Sequence, residues 1–353
     1  MNTTAKKILS LILSLSMLAI LAACGVQSAL VESAAPAAAD NASAAPDNAH
    51  AAYDSTLPIN ILTLNGTTGF GMANLMYDAQ NGGAALNYSF TVETDASNIT
   101  AALINGSADI AALPTNAAAA LYSKTGGAVQ VLALNTLGVL YLVSDGTCAA
   151  ASFDDLKGQT VYAPAQNPSF IFQYLCEKNG LKPGEDVTID TTYAQPADLN
   201  AAVSSGEVSI AVLPEPMVTI ACAANSALSV AMDLTAEWDK VSPAGSLVQG
   251  CIVVRTEFAK EHTAELKCFL DEYKASVEAL STDVQGTAQK IQETGIFAKA
   301  AVAAKAIPKC NVCFIAGSDM RDALEAFYEI MFSVAPASIG GALPGDDFYC
   351  VLE

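Results

Sequence analysis

The sequence predicts an α/β protein built as two lobes, each a mixed, mostly parallel sheet flanked by helices. Three observations point there. From about residue 57 onward, short apolar strands alternate with helical segments, the pattern of sheets whose crossovers are helices. A shift of 100 residues aligns two stretches without a gap: Leu103-x-x-Gly106-x-x-x-Ile110-Ala111-x-Leu113-Pro114 against Val203-x-x-Gly206-x-x-x-Ile210-Ala211-x-Leu213-Pro214. The chain has 353 residues, which at roughly 100–200 residues per domain predicts about two domains. The register extends upstream, where Ile99 and Ala102 match Leu199 and Ala202, and Phe70 and Leu75 match Phe170 and Leu175.

Each copy reads β-α-β-α-β. In the first, strand Ile59–Leu64 leads to helix Gly71–Gln80, then alternating strand Leu86–Glu93, helix Asn98–Ile104 and strand Ile110–Leu113. The second runs through Thr160–Ala163, Ser169–Asn179, Val187–Thr192, Asp198–Ser204 and Val208–Leu213. Strand Val129–Leu134 closes the first lobe. After the second copy come strand Leu228–Leu234, a polar turn carrying Trp238, and strand Cys251–Arg255. The tail reads as helices over Glu261–Leu280, Val284–Thr294, Phe297–Ala306 and Ser318–Phe332, with no further sheet of its own, covering the first lobe. The expected partition is residues 1–23 as an export signal, 24–56 as a disordered tether, 57–140 as the first part of lobe 1, 141–248 as lobe 2, and 249–353 as the return to lobe 1. The chain would cross between lobes near Leu137–Val143 and Ser246–Cys251.

The N-terminal segment has Lys6-Lys7, then an apolar stretch, then Leu21-Ala22-Ala23-Cys24. That is an export signal, and its last four residues resemble a bacterial lipobox, which implies acylation of Cys24 and an extracytoplasmic protein anchored by lipid to the cell membrane. The stretch after it, rich in Ala, Ser, Asp, Asn and Pro, has too few large apolar groups to offset the entropy of ordering. Beyond the first 25 residues no apolar run reaches the roughly 18 needed to span a bilayer.

Composition excludes several classes. With 36 acidic against 16 basic residues and a net charge of −20, the chain lacks the cationic surface that phosphate backbones need, so nucleic acid is excluded as a partner. His50 and His262 are the only histidines, so neither a zinc site nor a histidine acid/base relay is expected. No nucleophile elbow, phosphate loop or calcium loop occurs. Gly69-Phe70-Gly71, with Glu93 further on, echoes a dinucleotide fingerprint, but Asn74 stands where its third glycine belongs. Besides Cys24 there are eight cysteines. Cys176, Cys222, Cys251 and Cys268 read as small buried thiols, and Cys310-Asn-Val-Cys313 as a structural pair, disulfide or reduced.

Several segments in order resemble the substrate-binding proteins of bacterial ABC importers, the group of nitrate, sulfonate and taurine receptors and thiamine-pyrimidine-precursor receptors. They are Leu64-Asn65-Gly66-Thr67-Thr68-Gly69, Gly106-x-x-Asp109-Ile110-Ala111, Phe153-Asp154-Asp155-Leu156-Lys157-Gly158, Leu213-Pro214-Glu215-Pro216 and Cys251-Ile252-Val253-Val254-Arg255-Thr256-Glu257-Phe258. The resemblance spans about Pro58 to Leu280. It implies the two-lobed periplasmic-binding-protein (Venus-flytrap) fold, a small-molecule ligand trapped by hinge closure, and an ABC permease with its ATPase as partners. A monomer without cofactor, metal or catalysis is expected. The family's usual cations for sulfonate or nitrate are not identifiable. The competing reading is an exported two-lobe sensor, or an enzyme like those of the thiamine-pyrimidine pathway on the same fold.

Ligands of open α/β lobes bind beyond the carboxyl ends of the strands. That places Asn65, Thr67, Thr68, Gly69, Phe70, Thr115, Asn116 and Asn135 at the cleft in lobe 1, and Gln166, Asn167, Ser169 and Glu215 in lobe 2. Thr67, Thr68 and Thr115 are equally readable as helix caps and Ser169 most simply as one, and Phe70 and Phe170 either sandwich a ligand ring or, more in keeping with their apolar period, pack in the core. Glu215, at a helix start, either caps that helix or accepts from a ligand amine, and the second role would favour an amino-pyrimidine or another neutral-to-cationic metabolite. Trp238 is either a cleft wall or packed.

Overall fold

The computed structural model describes residues 53–352. The export signal, Cys24 and the tether as far as residue 52 lie outside the described residues. In chain order the elements are β1 (Pro58–Leu64), α1 (Thr67–Phe70), α2 (Ala73–Gln80), β2 (Asn87–Glu93), α3 (Ala96–Asn105), β3 (Ile110–Pro114), α4 (Thr115–Thr125), β4 (Val129–Thr136), β5 (Leu140–Ser144), β6 (Thr160–Tyr162), α5 (Asn167–Lys178), β7 (Thr188–Asp190), α6 (Pro196–Ser205), β8 (Ile210–Pro214), α7 (Met217–Ala224), β9 (Ser229–Asp233), α8 (Leu234–Asp239), β10 (Gly250–Arg255), α9 (Thr256–Glu261), α10 (Thr263–Thr282), α11 (Val284–Glu293), α12 (Ala300–Ala306), β11 (Val312–Ala316) and α13 (Gly317–Val334).

The strands form two sheets, ordered β11-β4-β10-β3-β1-β2 and β7-β6-β8-β5-β9. The duplication read from the sequence is visible in them. In the first sheet β2, β1 and β3 run parallel and β10 joins antiparallel; in the second β7, β6 and β8 run parallel and β5 joins antiparallel. The turn that carries the repeat explains its glycine. Gly106 ends α3 at φ 78° and Gly206 ends α6 at φ 81°, a left-handed conformation that a side chain disfavours. Each turn delivers the chain into a strand whose first four residues are buried.

Asp109, in the repeated turn of lobe 1, ties three strands together. Its Oδ2 accepts from Asn60 N of β1 at 2.9 Å, and its Oδ1 accepts from Arg255 Nη2 at the end of β10 at 2.9 Å. Arg255 Nε also donates to Ala108 O at 3.1 Å. Copy two has Ser209 at this place and no such pair.

The tail departs from the sequence reading. Residues Val312–Ala316 form strand β11 on the edge of the first sheet, pairing antiparallel with β4, so the tail extends that sheet as well as covering it. The strand was hidden because VCFIA is a five-residue run between helical segments. Leu140–Ser144, expected only as a crossing, is strand β5 with all five residues buried. Trp238 lies in α8, fully buried, and not in a polar turn. Its ring packs between Tyr174 of lobe 2 at 4.9 Å and Phe327 of α13 at 6.1 Å, so it is a core residue where the tail meets lobe 2. One continuous apolar core thus runs from the first sheet past α13 into the second.

Ordered chain begins before residue 57. Asp54 accepts from Thr56 N and Oγ1, and Asp54 N donates to Glu265 Oε1 of α10 at 2.8 Å. Among the described residues no helix is long and apolar enough to cross a membrane.

Candidate functional site: the seam between the two sheets

Two crossovers join the sheets side by side. Gln249 N donates to Thr136 O at 2.9 Å and Gln249 Oε1 accepts from Val139 N at 2.7 Å, so the second crossover is stitched to the first. Asn311, just before β11, accepts at its carbonyl from Leu137 N at 3.0 Å and donates through Nδ2 to Gly138 O at 2.6 Å. Its φ of 42° is a left-handed conformation that asparagine tolerates better than most residues. The carboxyl ends of β1, β4 and β8 and the start of β11 all point to this joint, as the register of the strands requires.

At the seam the lobes touch directly. Thr67 Oγ1, in the turn after β1, donates to Glu215 O, after β8, at 2.7 Å, and lies 3.7 Å from Cys310 Sγ. Tyr141 OH of β5 donates to Lys309 O at 3.0 Å. The carboxylate of Glu215 accepts from Thr219 N at 3.1 Å and Thr219 Oγ1 at 3.0 Å, capping α7, and stands 3.8 Å from Lys309 Nζ. Burial raises the Glu215 carboxyl above its ordinary value, against the opposing pull of Thr219 and Lys309. Burial likewise pushes the Cys310 thiol up to about 12.

The structure sorts the residues expected at the cleft. Thr67 and Glu215 meet at the seam. Asn65 and Gln166 are exposed, Thr68 half-buried. Asn135 is buried and donates through Nδ2 to Thr68 O at 3.0 Å, holding the turn after β1 against β4, while its Oδ1 packs against Gly250 of β10 inside lobe 1. Asn167, in the first turn of α5, is 6% exposed and its Oδ1 is without a protein partner. Asn116 is buried at the start of α4. Other members of the set are committed to packing. Thr115 is fully buried and donates to Val248 O at 2.8 Å. Ser169 donates to Gln166 O at 2.9 Å. Phe70 is fully buried against Phe297 at 6.1 Å, which removes it as a ring platform. Gly69 is a close-packing glycine, since a Cβ there would overlap the Leu64 carbonyl. Asn74, at the third-glycine place of the dinucleotide fingerprint, is buried and donates to Ser276 O at 3.0 Å and Thr287 Oγ1 at 3.2 Å. It clamps α2 to α10 and α11.

Sequence reasoning missed Tyr141, Lys309 and Asn311 as seam residues. The available signal was the Cys310-Asn-Val-Cys313 segment, which stood out as chemistry without an assigned place. All eight described cysteines are free thiols. Cys176 and Cys251 are buried as expected, whereas Cys222 and Cys268 are partly exposed.

Several grooves cut the surface. One of about 470 Å³ runs between α5 and β7, lined by Gln166, Ser169, Phe170, Gln173, Thr188 and Thr191. Another of about 590 Å³ lies at the opposite end of the first sheet, beside Leu103, Gly127 and Arg255. The seam is where both lobes contribute polar groups.

The family model described as NMT1/THI5 like matches residues 83–283. The chain belongs to this family. No curated protein matches it. Among solved structures, an ABC transporter from Parabacteroides distasonis is 24% identical, with 85% of this chain and 100% of that one covered, at a TM-score of 0.71. The periplasmic aliphatic sulphonate binding protein SsuA from Escherichia coli is 14% identical, with 81% and 96% covered, at 0.65. The ligand binding component of an ABC-type import system from Staphylococcus aureus is 14% identical, with 84% and 97% covered, at 0.64. This NMT1/THI5-like chain therefore has the two-lobed fold of periplasmic binding proteins.

Proposed function

We propose that this protein captures a small polar solute at the seam between its lobes and delivers it to the permease of an ABC importer, without catalysis of its own. In this reading Cys24 carries the lipid that anchors the chain outside the cytoplasm, as a monomer. The observation that carries the proposal is the convergence at one seam of turns from the carboxyl ends of strands in both lobes, with Thr67 meeting Glu215 across it. The names of its structural neighbours, a sulphonate binding protein and a ligand-binding component of an importer, support the same reading.

The ligand class follows from the acceptors there, the Glu215 carboxylate and main-chain carbonyl. Lys309, the cation facing Glu215, already has a carboxylate beside it. A neutral or cationic solute with N–H or O–H donors fits these groups better than an anion such as a sulfonate or nitrate. Because Glu215 also caps α7, a ligand amine would share the carboxylate with Thr219.

Thermal unfolding scanned against amines, amino-pyrimidines, taurine, alkanesulfonates, nitrate and amino acids tests the proposal. A ligand at 100 times its Kd adds about 2.7 kcal/mol of stability. A selective shift from a donor-rich solute is expected. No shift from any of them overturns the donor-rich ligand class and favours the sensor reading, and a shift from sulfonates alone keeps the receptor and overturns the ligand class.

A further inference from the structure

The seam holds a charge arrangement that the fold alone does not require. Glu215 follows β8 in the second sheet and Lys309 precedes β11 in the first, so their ion pair crosses from lobe to lobe. The Glu215 side chain is 0% exposed and that of Lys309 is 52% exposed, with Nζ and Oε1 3.8 Å apart. On its own side Glu215 receives two hydrogen bonds from Thr219; the ion pair that the described residues give it comes from across the seam. Main-chain carbonyls of the same two residues accept the seam's hydroxyls, Glu215 O from Thr67 and Lys309 O from Tyr141. The pair therefore sits in a fixed frame.

We infer that Lys309 and Glu215 form an ionic latch that holds the lobes shut, with the half-exposed ammonium as its releasable half. A buried carboxylate is costly unless a cation faces it. With Lys309 in place the closed seam is tolerated; without it, parting of the lobes is how the charge regains water. The inference concerns the resting seam and is independent of which solute binds there.

Cys310 provides the readout. Its thiol is buried where the lobes meet, beside Thr67, so parting of the lobes exposes it to alkylation. Cys251, fully buried in the core, reports unfolding instead. In the full chain, pulse alkylation followed by peptide mass spectrometry is expected to show Cys310 reacting roughly threefold to tenfold faster in Lys309→Met than in the parent, with Cys251 unchanged. Lys309→Arg keeps the charge and stays near the parent rate. Adding Glu215→Gln to Lys309→Met slows Cys310 again, because the charge that forced opening is gone. Cys310 labelling at the parent rate in Lys309→Met overturns the latch. So does a rise matched by Cys251, or a double variant that labels as fast as Lys309→Met alone.

Discussion

Thr67→Val removes one hydroxyl from the seam and keeps the side-chain volume. Thr67 is nearly buried, at 7% exposure, and its hydroxyl donates to Glu215 O at 2.7 Å across the two lobes. A typical internal hydrogen bond contributes about 0.5–1.5 kcal/mol net, and a buried carbonyl left without its donor costs about 1–3 kcal/mol. Backbone adjustment at the seam admits some water to Glu215 O, so the expected loss is about 1–2 kcal/mol. Urea unfolding reads it as a lower midpoint at an unchanged slope, because the surface exposed on unfolding is the same. Thr67→Ser, which retains the donor, recovers most of the loss. A Thr67→Val protein as stable as the parent would show that the hydroxyl is not spent on the opposite lobe, and the direct seam contact would have to be abandoned.

Glu215→Gln tests the buried acid by pH. Burial raises its folded-state pKa above the ordinary 4.5, so the native protein holds that proton more tightly than the unfolded chain does. The stability from this group is complete below 4.5 and is lost as pH rises through the folded-state value. The melting temperature of the parent should therefore gain on that of Glu215→Gln as pH falls from 7 toward 4.5; parallel curves would refute the burial. Gly69→Ala places a Cβ against the Leu64 carbonyl, backbone that cannot swing aside, and should cost about 1–3 kcal/mol by the same urea assay; a neutral result would mean that the turn after β1 is loose. Asp109→Asn leaves Arg255 beside a neutral amide and should cost about 2–3 kcal/mol by thermal unfolding, below the range for fully buried pairs because the arginine side chain is 22% exposed. Loss of less than about 0.5 kcal/mol would show that the tie between β1, β3 and β10 is unimportant.

The repeated half of the fold was legible because its signals are local. Gly106 and Gly206 announce left-handed helix ends, and the four buried residues after Asp109 and Ser209 announce strands in a sheet covered on both faces. The long tail helices were legible from their apolar period. What escaped depends on partners distant in sequence. β11 is a strand because β4 offers it an edge, not because five residues demand it. α4, TNAAAALYSKT, lacks a clear apolar stripe, and its buried alanines owe their place to the surrounding core. Glu215 was read as either a cap or a contact, and the structure shows the cap together with a lysine that no local pattern links to it. Thr115 and Ser169 turned out to spend their hydroxyls on main-chain carbonyls. A hydroxyl near a strand end looks the same in sequence whether it faces solvent or a carbonyl.

Hydrogen exchange with and without a solute that shifts the melting temperature most directly tests the claim that the seam is where this protein holds its ligand. Added protection should concentrate in residues 65–72, 137–141, 213–219 and 307–311, the turns and crossovers that meet there. Protection confined to the groove beside Leu103 and Arg255, with those segments unchanged, would place the solute at the far end of the first sheet and contradict the account.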